Sequence, residues 1–164
     1  MAVTTDILRT YRDPGGVVAR LLSAGRREDR ALAILMLAAG LIFVAGLAPA
    51  RRAAILDPAV PLDALIAGRL MASLFVLPLL AYAVAWLSHL AARAAGGRGS
   101  AYAARVALFW ALLAVAPLML LHGLLAGMAG PGAALTGFGA LVFAAFLWIW
   151  LRGLAAAEFG GGAA

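Results

Sequence analysis

Residues 102–128 read YAARVALFWALLAVAPLMLLHGLLAGM. Beyond Arg105 this stretch carries no Asp, Glu, Lys or Arg. It is long enough to cross a hydrocarbon core of about 30 Å, which takes roughly 20 apolar residues in a helix. It does not alternate with period two, so a membrane-spanning helix is expected rather than a barrel strand. Three further runs meet the same test, at about 31–50, 64–92 and 133–151. The expected fold class is therefore all-α: a polytopic bundle of four transmembrane helices over 31–155. An amphipathic cytoplasmic segment (1–30) precedes it and a flexible tail (156–164) follows.

Composition agrees. Of 164 residues, 66 % are hydrophobic and 12 % charged, against about 45–50 % and 25 % in soluble domains. A chain this short cannot hide that much apolar surface in a water-soluble core. A soluble enzyme and a disordered chain are both excluded. Cysteine is absent, which removes disulfides, thiolate metal sites and cysteine nucleophiles. Ala48-Pro49-Ala50 resembles a signal-peptide cleavage site, but the preceding apolar run exceeds the 7–15 residues of a secretory core.

All 13 basic residues are arginine, seven acids oppose them, and the net charge is +6. Four spans put Arg9, Arg12, Arg20, Arg26, Arg27, Arg30, Arg93, Arg98, Arg105 and Arg152 on one side, and Arg51, Arg52 and Arg69 on the other. The positive-inside rule assigns the first group and both termini to the cytoplasm. The arginines thus report orientation, and no nucleic-acid partner is expected. Arginine without lysine, in an Ala- and Gly-rich chain, is associated with GC-rich bacterial genomes, so the expected location is a bacterial inner membrane.

Asp13-Pro14 reads as a helix start. Val17, Val18, Leu21 and Leu22 then share a face, flanked by Arg12, Arg20, Arg26 and Arg27. Such a helix suits a membrane surface with its arginines among anionic headgroups. The alternative is a short solvated helix whose arginines act only in topology. Residues 51–63 read as a short ordered turn, and Pro78 as a kink in the second span.

Chemistry-bearing residues are few. No Asp or Glu falls within the four runs, and a proton relay normally uses such carboxylates. His89 and His122 fall toward opposite faces, so they do not form a shared metal site. Ser73, Ser88 and Ser100 lack a base placed to activate them, since Ser88 and His89 as consecutive helical residues point apart, and Ser100 reads as a helix cap. No cofactor is expected. Gly123 and Gly127 form a GxxxG pair, and Ala103, Ala107 and Ala111 repeat every four residues, so the third span is expected at the bundle centre or at a dimer seam. Trp86, Trp110, Trp148 and Trp150 suit interfacial anchoring.

Gly96-Gly97-Arg98-Gly99-Ser100-Ala101-Tyr102, followed by Leu108-Phe109-Trp110-Ala111 and Pro117, resembles the central signature of the bacterial branch of the Yip-domain family. These are relatives of the multi-spanning Ypt/Rab-interacting membrane proteins. The resemblance implies a helical membrane bundle and no catalytic residues. The eukaryotic relatives are associated with prenylated small GTPases, but their acidic N-terminal motif is absent: Tyr11-Arg12-Asp13-Pro14 stands here. They are usually described with five spans, against four in this chain.

The expected function is a non-enzymatic membrane protein: a partner-binding, membrane-organising or accessory subunit. Arg12, Arg20, Arg26, Arg27, Arg93 and Arg98 would hold a partner or lipid headgroups. The bilayer, another membrane protein or complex, and a second copy of the chain are the expected partners. The alternative is an oligomeric transporter or channel for ions or small solutes, with a path kinked at Pro78 and Pro117 and with His89 and His122 as polar waypoints.

Overall fold

The computed structural model describes residues 3–160. Eight α-helices follow in order: α1 Val3–Thr10, α2 Pro14–Ser23, α3 Glu28–Ala45, α4 Leu47–Leu56, α5 Leu62–Met71, α6 Leu77–Ala94, α7 Ala101–Ala129 and α8 Ala133–Phe159. A wider π-helical turn, Ala72–Val76, joins α5 to α6. Four helical units are long and apolar enough to span a membrane: Glu28–Leu56, Leu62–Ala94, α7 and α8. The expected all-helical, four-span architecture is present.

Local chemistry explains the element ends. The Asp13 carboxylate accepts from the Gly16 N–H at 2.9 Å and Pro14 opens α2, so one orphan donor of the first turn is satisfied. The Ser100 hydroxyl likewise accepts from the Ala103 N–H and starts α7. At the far end of α7, Gly130 takes φ +78, which only glycine adopts freely. There Arg52 donates to the Met128 carbonyl at 3.1 Å, placing a cation where α7 leaves its last carbonyls unpaired.

Three boundaries differ from expectation. Helix continues through Arg51 and Arg52 to Leu56, so the expected 51–63 turn narrows to residues 57–61; the alanines of that segment favour helix. Pro78 follows the π-helical turn, where widening by one residue relieves the clash of its ring with the preceding turn. Helix α8 runs on through Gly153-Leu154-Ala155-Ala156-Ala157 to Phe159, so residues 156–159 are helix rather than tail. Hydropathy drops at Arg152, but helix propensity does not. Residues 161–164 lie outside the described residues.

Helix α7 is the centre. It contacts α1, α2, α3, α4, α6 and α8, and half of its most apolar window is buried within the protein, against 11 % for α8. The small residues make this possible. Ala107 and Ala111 are fully buried. A Cβ added to Gly123 would overlap the Ala45 carbonyl, and one on Gly127 would meet Ala48 at 2.6 Å. Lipid tails are as apolar as leucine, so such close backbone approach is what holds helices together in a bilayer. The GxxxG pair serves a contact of α7 with α3 and α4 inside the chain.

The N-terminal segment also differs from a free interfacial strip. It is a hairpin of two helices, and Val17, Val18 and Leu21 are buried against α7 and α8. Trp110, expected at an interface, is fully buried, and its indole N–H donates to the Thr10 hydroxyl at 2.8 Å. That hydroxyl in turn donates to the Asp6 carbonyl at 2.7 Å. The Tyr11 hydroxyl donates to the Ala114 carbonyl at 2.7 Å, within the turn where Pro117 withdraws a backbone donor.

Candidate functional site

The starts of α3 and α7 and the ends of α6 and α8 meet at one end of the bundle, and the α1–α2 hairpin packs against it. Nearly all of the polar side-chain chemistry gathers there. We call it the basic end.

The hairpin sits at a definite height. Gly153 lies against Val18 and Ala107, where an added Cβ would meet Val18 at 3.1 Å and Ala107 at 3.6 Å. Gly153 directly follows Arg152, the first charge after the apolar run of α8. Helix α2 therefore crosses α8 where its hydrocarbon-length segment stops.

The expected arginines fall into three settings. Arg12 lines a cleft of about 290 Å³ with Arg9, Asp13, Gly16, Val17 and Arg20, and Arg20 pairs with Asp6 at 2.8 Å. Arg26 and Arg27 are tied to the start of α3, with Arg26 on Glu28 at 3.1 Å and Arg27 on Asp29 at 2.8 Å. The Asp29 contact holds the Arg27 guanidinium above its ordinary pKa, so it stays charged throughout. Glu28 also receives Arg105, and the Arg27 backbone N–H donates to the Tyr102 hydroxyl at 3.1 Å, which locks α3 to α7. Arg93 and Arg98 are exposed.

The turn carrying Arg98 is pinned. The Arg98 backbone N–H donates to the Glu158 carbonyl at 2.8 Å, while Gly99 lets the loop pass too close to α8 for any side chain and Gly97 folds back onto the Ala92 carbonyl of α6. The Glu158 side chain is fully buried; its Oε1 lies 2.6 Å from His89 Nδ1, and its Oε2 has no hydrogen-bond partner among the described residues. This carboxylate lies beyond the apolar run 133–151, in the continuation of α8 to Phe159 that replaces the expected tail. The run Leu154-Ala155-Ala156-Ala157 of helix formers is the signal that α8 continues to Glu158; its meeting with the end of α6 is set by the fold.

His122 stands toward the other end of the bundle. Its ring stacks on Phe138 with centroids 6.0 Å apart, and its Nε2 lies against Gly139. The two histidines are not brought together. Among the described residues, no three of His, Cys, Asp and Glu converge as a metal site requires.

Comparison of the chain with protein-family models, with curated proteins and with solved structures gave no match. The fold defines the class: an all-helical, multi-pass membrane protein with four membrane-length helices and one polar, arginine-rich end.

Proposed function

We propose that this is a non-enzymatic protein of the bacterial inner membrane. Its basic end faces the cytoplasm, rests on anionic headgroups and docks another membrane protein or complex, or a second copy of the chain. One observation carries this reading. Arg9, Arg12, Arg93 and Arg98 are exposed and outside any ion pair among the described residues, yet the hairpin and loop that bear them are tied to the bundle. Guanidinia held on a fixed frame lose less entropy on meeting a carboxylate or phosphate. The Yip-like signature supports the same direction, since that family implies partners rather than catalysis.

The test is extraction of the tagged protein from its native membrane in mild detergent, with quantitative mass spectrometry of what it retains. A partner recovered at fixed stoichiometry, and lost on Arg93→Gln with Arg98→Gln, is the expected result. Recovery of the chain alone as a monomer contradicts the reading.

A second reading, proton-coupled transport, draws on the buried Glu158 beside His89. It expects solute flux in proteoliposomes that collapses in Glu158→Gln. Absence of flux across a broad solute panel removes it.

A further inference from the structure

The cleft between α1 and α2 has features that the rest of the basic end lacks. Arg9 closes the last turn of α1, Arg12 sits in the connecting turn, and Arg20 reaches in from α2. Two acids lie nearby and both are committed: Asp6 holds Arg20 at 2.8 Å, and Asp13 caps the Gly16 N–H at 2.9 Å. Three arginines against two acids leave the cleft positive. Arg9 and Arg12, which have no ion pair among the described residues, supply the uncommitted charge.

Size and height narrow the ligand. At about 290 Å³ and open to the outside, the cleft falls just below the range of roughly 300–1,000 Å³ typical of drug-sized ligands. A phosphate with a small headgroup fits that space. Val17 lines the cleft, and its neighbour Val18 packs on Gly153 where the apolar run of α8 ends. The cleft therefore stands level with the end of the apolar run of α8, where the hydrocarbon of a bilayer would give way to headgroups. Leu8, immediately before Arg9, is 72 % exposed, a poor arrangement in water and a good one beside an acyl chain. Arginine offers a planar fork of donors that pairs with phosphate oxygens two at a time.

We propose that this cleft binds the phosphate of one anionic phospholipid of the cytoplasmic leaflet. The inference rests on the reading of the basic end as a headgroup-facing surface. It adds a single defined site to that surface, in which the fixed hairpin holds one lipid and Arg9 and Arg12 clamp its phosphate.

Native mass spectrometry of the purified full chain, titrated with phosphatidylglycerol or phosphatidylcholine, tests the proposal. The expected result is one phosphatidylglycerol retained in preference to phosphatidylcholine. Its affinity falls about 25-fold in Arg9→Gln with Arg12→Gln, from about fivefold per arginine near a membrane surface. Arg51→Gln, at the other end of the bundle, leaves retention unchanged, and Arg12→Lys, which keeps the charge and loses the fork, weakens it by less than Arg12→Gln. Arg9 and Arg12 are exposed, and an unaltered melting curve confirms that the double variant folds. Unchanged lipid retention in the double variant overturns the site. If Arg93→Gln with Arg98→Gln then lowers retention, the headgroup-facing reading survives without the cleft; if neither pair matters, both fall. Displacement of the lipid by millimolar inorganic phosphate assigns the cleft to a soluble anion and overturns the lipid assignment.

Discussion

The two halves of α7 are equally apolar to a hydropathy scale and lead different lives. From Tyr102 to Ala116 nearly every side chain is buried against α1, α2, α3, α6 or α8. From Pro117 onward Gly123 is the one buried residue, while Leu121, Leu124, Leu125 and Met128 face outward. Hydrophobicity does not separate them, because lipid satisfies leucine as well as protein does. The difference lies in fit and hydrogen bonding. The first half presents close-packed alanines and a tryptophan whose N–H finds Thr10, and its Ala114 carbonyl receives the Tyr11 hydroxyl. The second half meets α3 through Gly123, α4 through Gly127 and α8 through His122, and its exposed leucines and Met128 point outward. The ties to the N-terminal hairpin, and with them the proposed function, belong to the first.

Substitutions can break this contrast or sharpen it. The largest effect is expected from Trp110→Ala, which empties a fully buried site and orphans the Thr10 contact. A loss of about 3–5 kcal/mol in reversible unfolding in mixed micelles is the expected outcome. Gly123→Leu comes next: the added side chain has no space against the Ala45 carbonyl, so about 3 kcal/mol is lost or the chain fails to assemble.

Tyr11→Phe should cost about 1 kcal/mol, the worth of its hydrogen bond to Ala114. Burial pushes the Tyr11 hydroxyl above its ordinary value near 10. A phenolate cannot donate, so the stabilisation is full below the unfolded value and is lost as pH rises through the higher folded one. The gap between wild type and Tyr11→Phe should therefore hold at pH 8 and 9 and close in stronger alkali. Melting curves across that range check the sign. Smallest of all is Leu124→Ala in the outward-facing half, expected to change stability by less than about 0.5 kcal/mol. A loss comparable to that of Trp110→Ala would erase the contrast.

Much of the frame was legible because its signals are local. Apolar runs mark the four spans, Asp13-Pro14 and Ser100 mark two helix starts, and the spacing of Ala103, Ala107 and Ala111 marks the inner face of α7. The missed features depend on distance in the chain. Nothing near Thr10 indicates that it meets Trp110, and nothing near Glu158 indicates His89. Hydropathy also ended α8 at Leu151, since a single arginine lowers the average, although the backbone remains helical through Phe159. The basic character of the end was visible as a count of arginines. Which of them are tied to acids and which line a cleft required the fold.

The central claim is that the N-terminal hairpin is a fixed part of the bundle, which holds its arginines at the height of the headgroups. The chain contains no cysteine, so introduced pairs report without background. A Cβ at Gly15 would stand 3.3 Å from the Ala156 Cβ, close to the 3.5–4.5 Å typical of a disulfide. Gly15→Cys with Ala156→Cys, oxidised mildly in native membranes and read by mass spectrometry after proteolysis, should give nearly complete intramolecular linkage. Two free thiols that both take up maleimide, with no linked peptide, would show the hairpin detached from α8 and contradict the account.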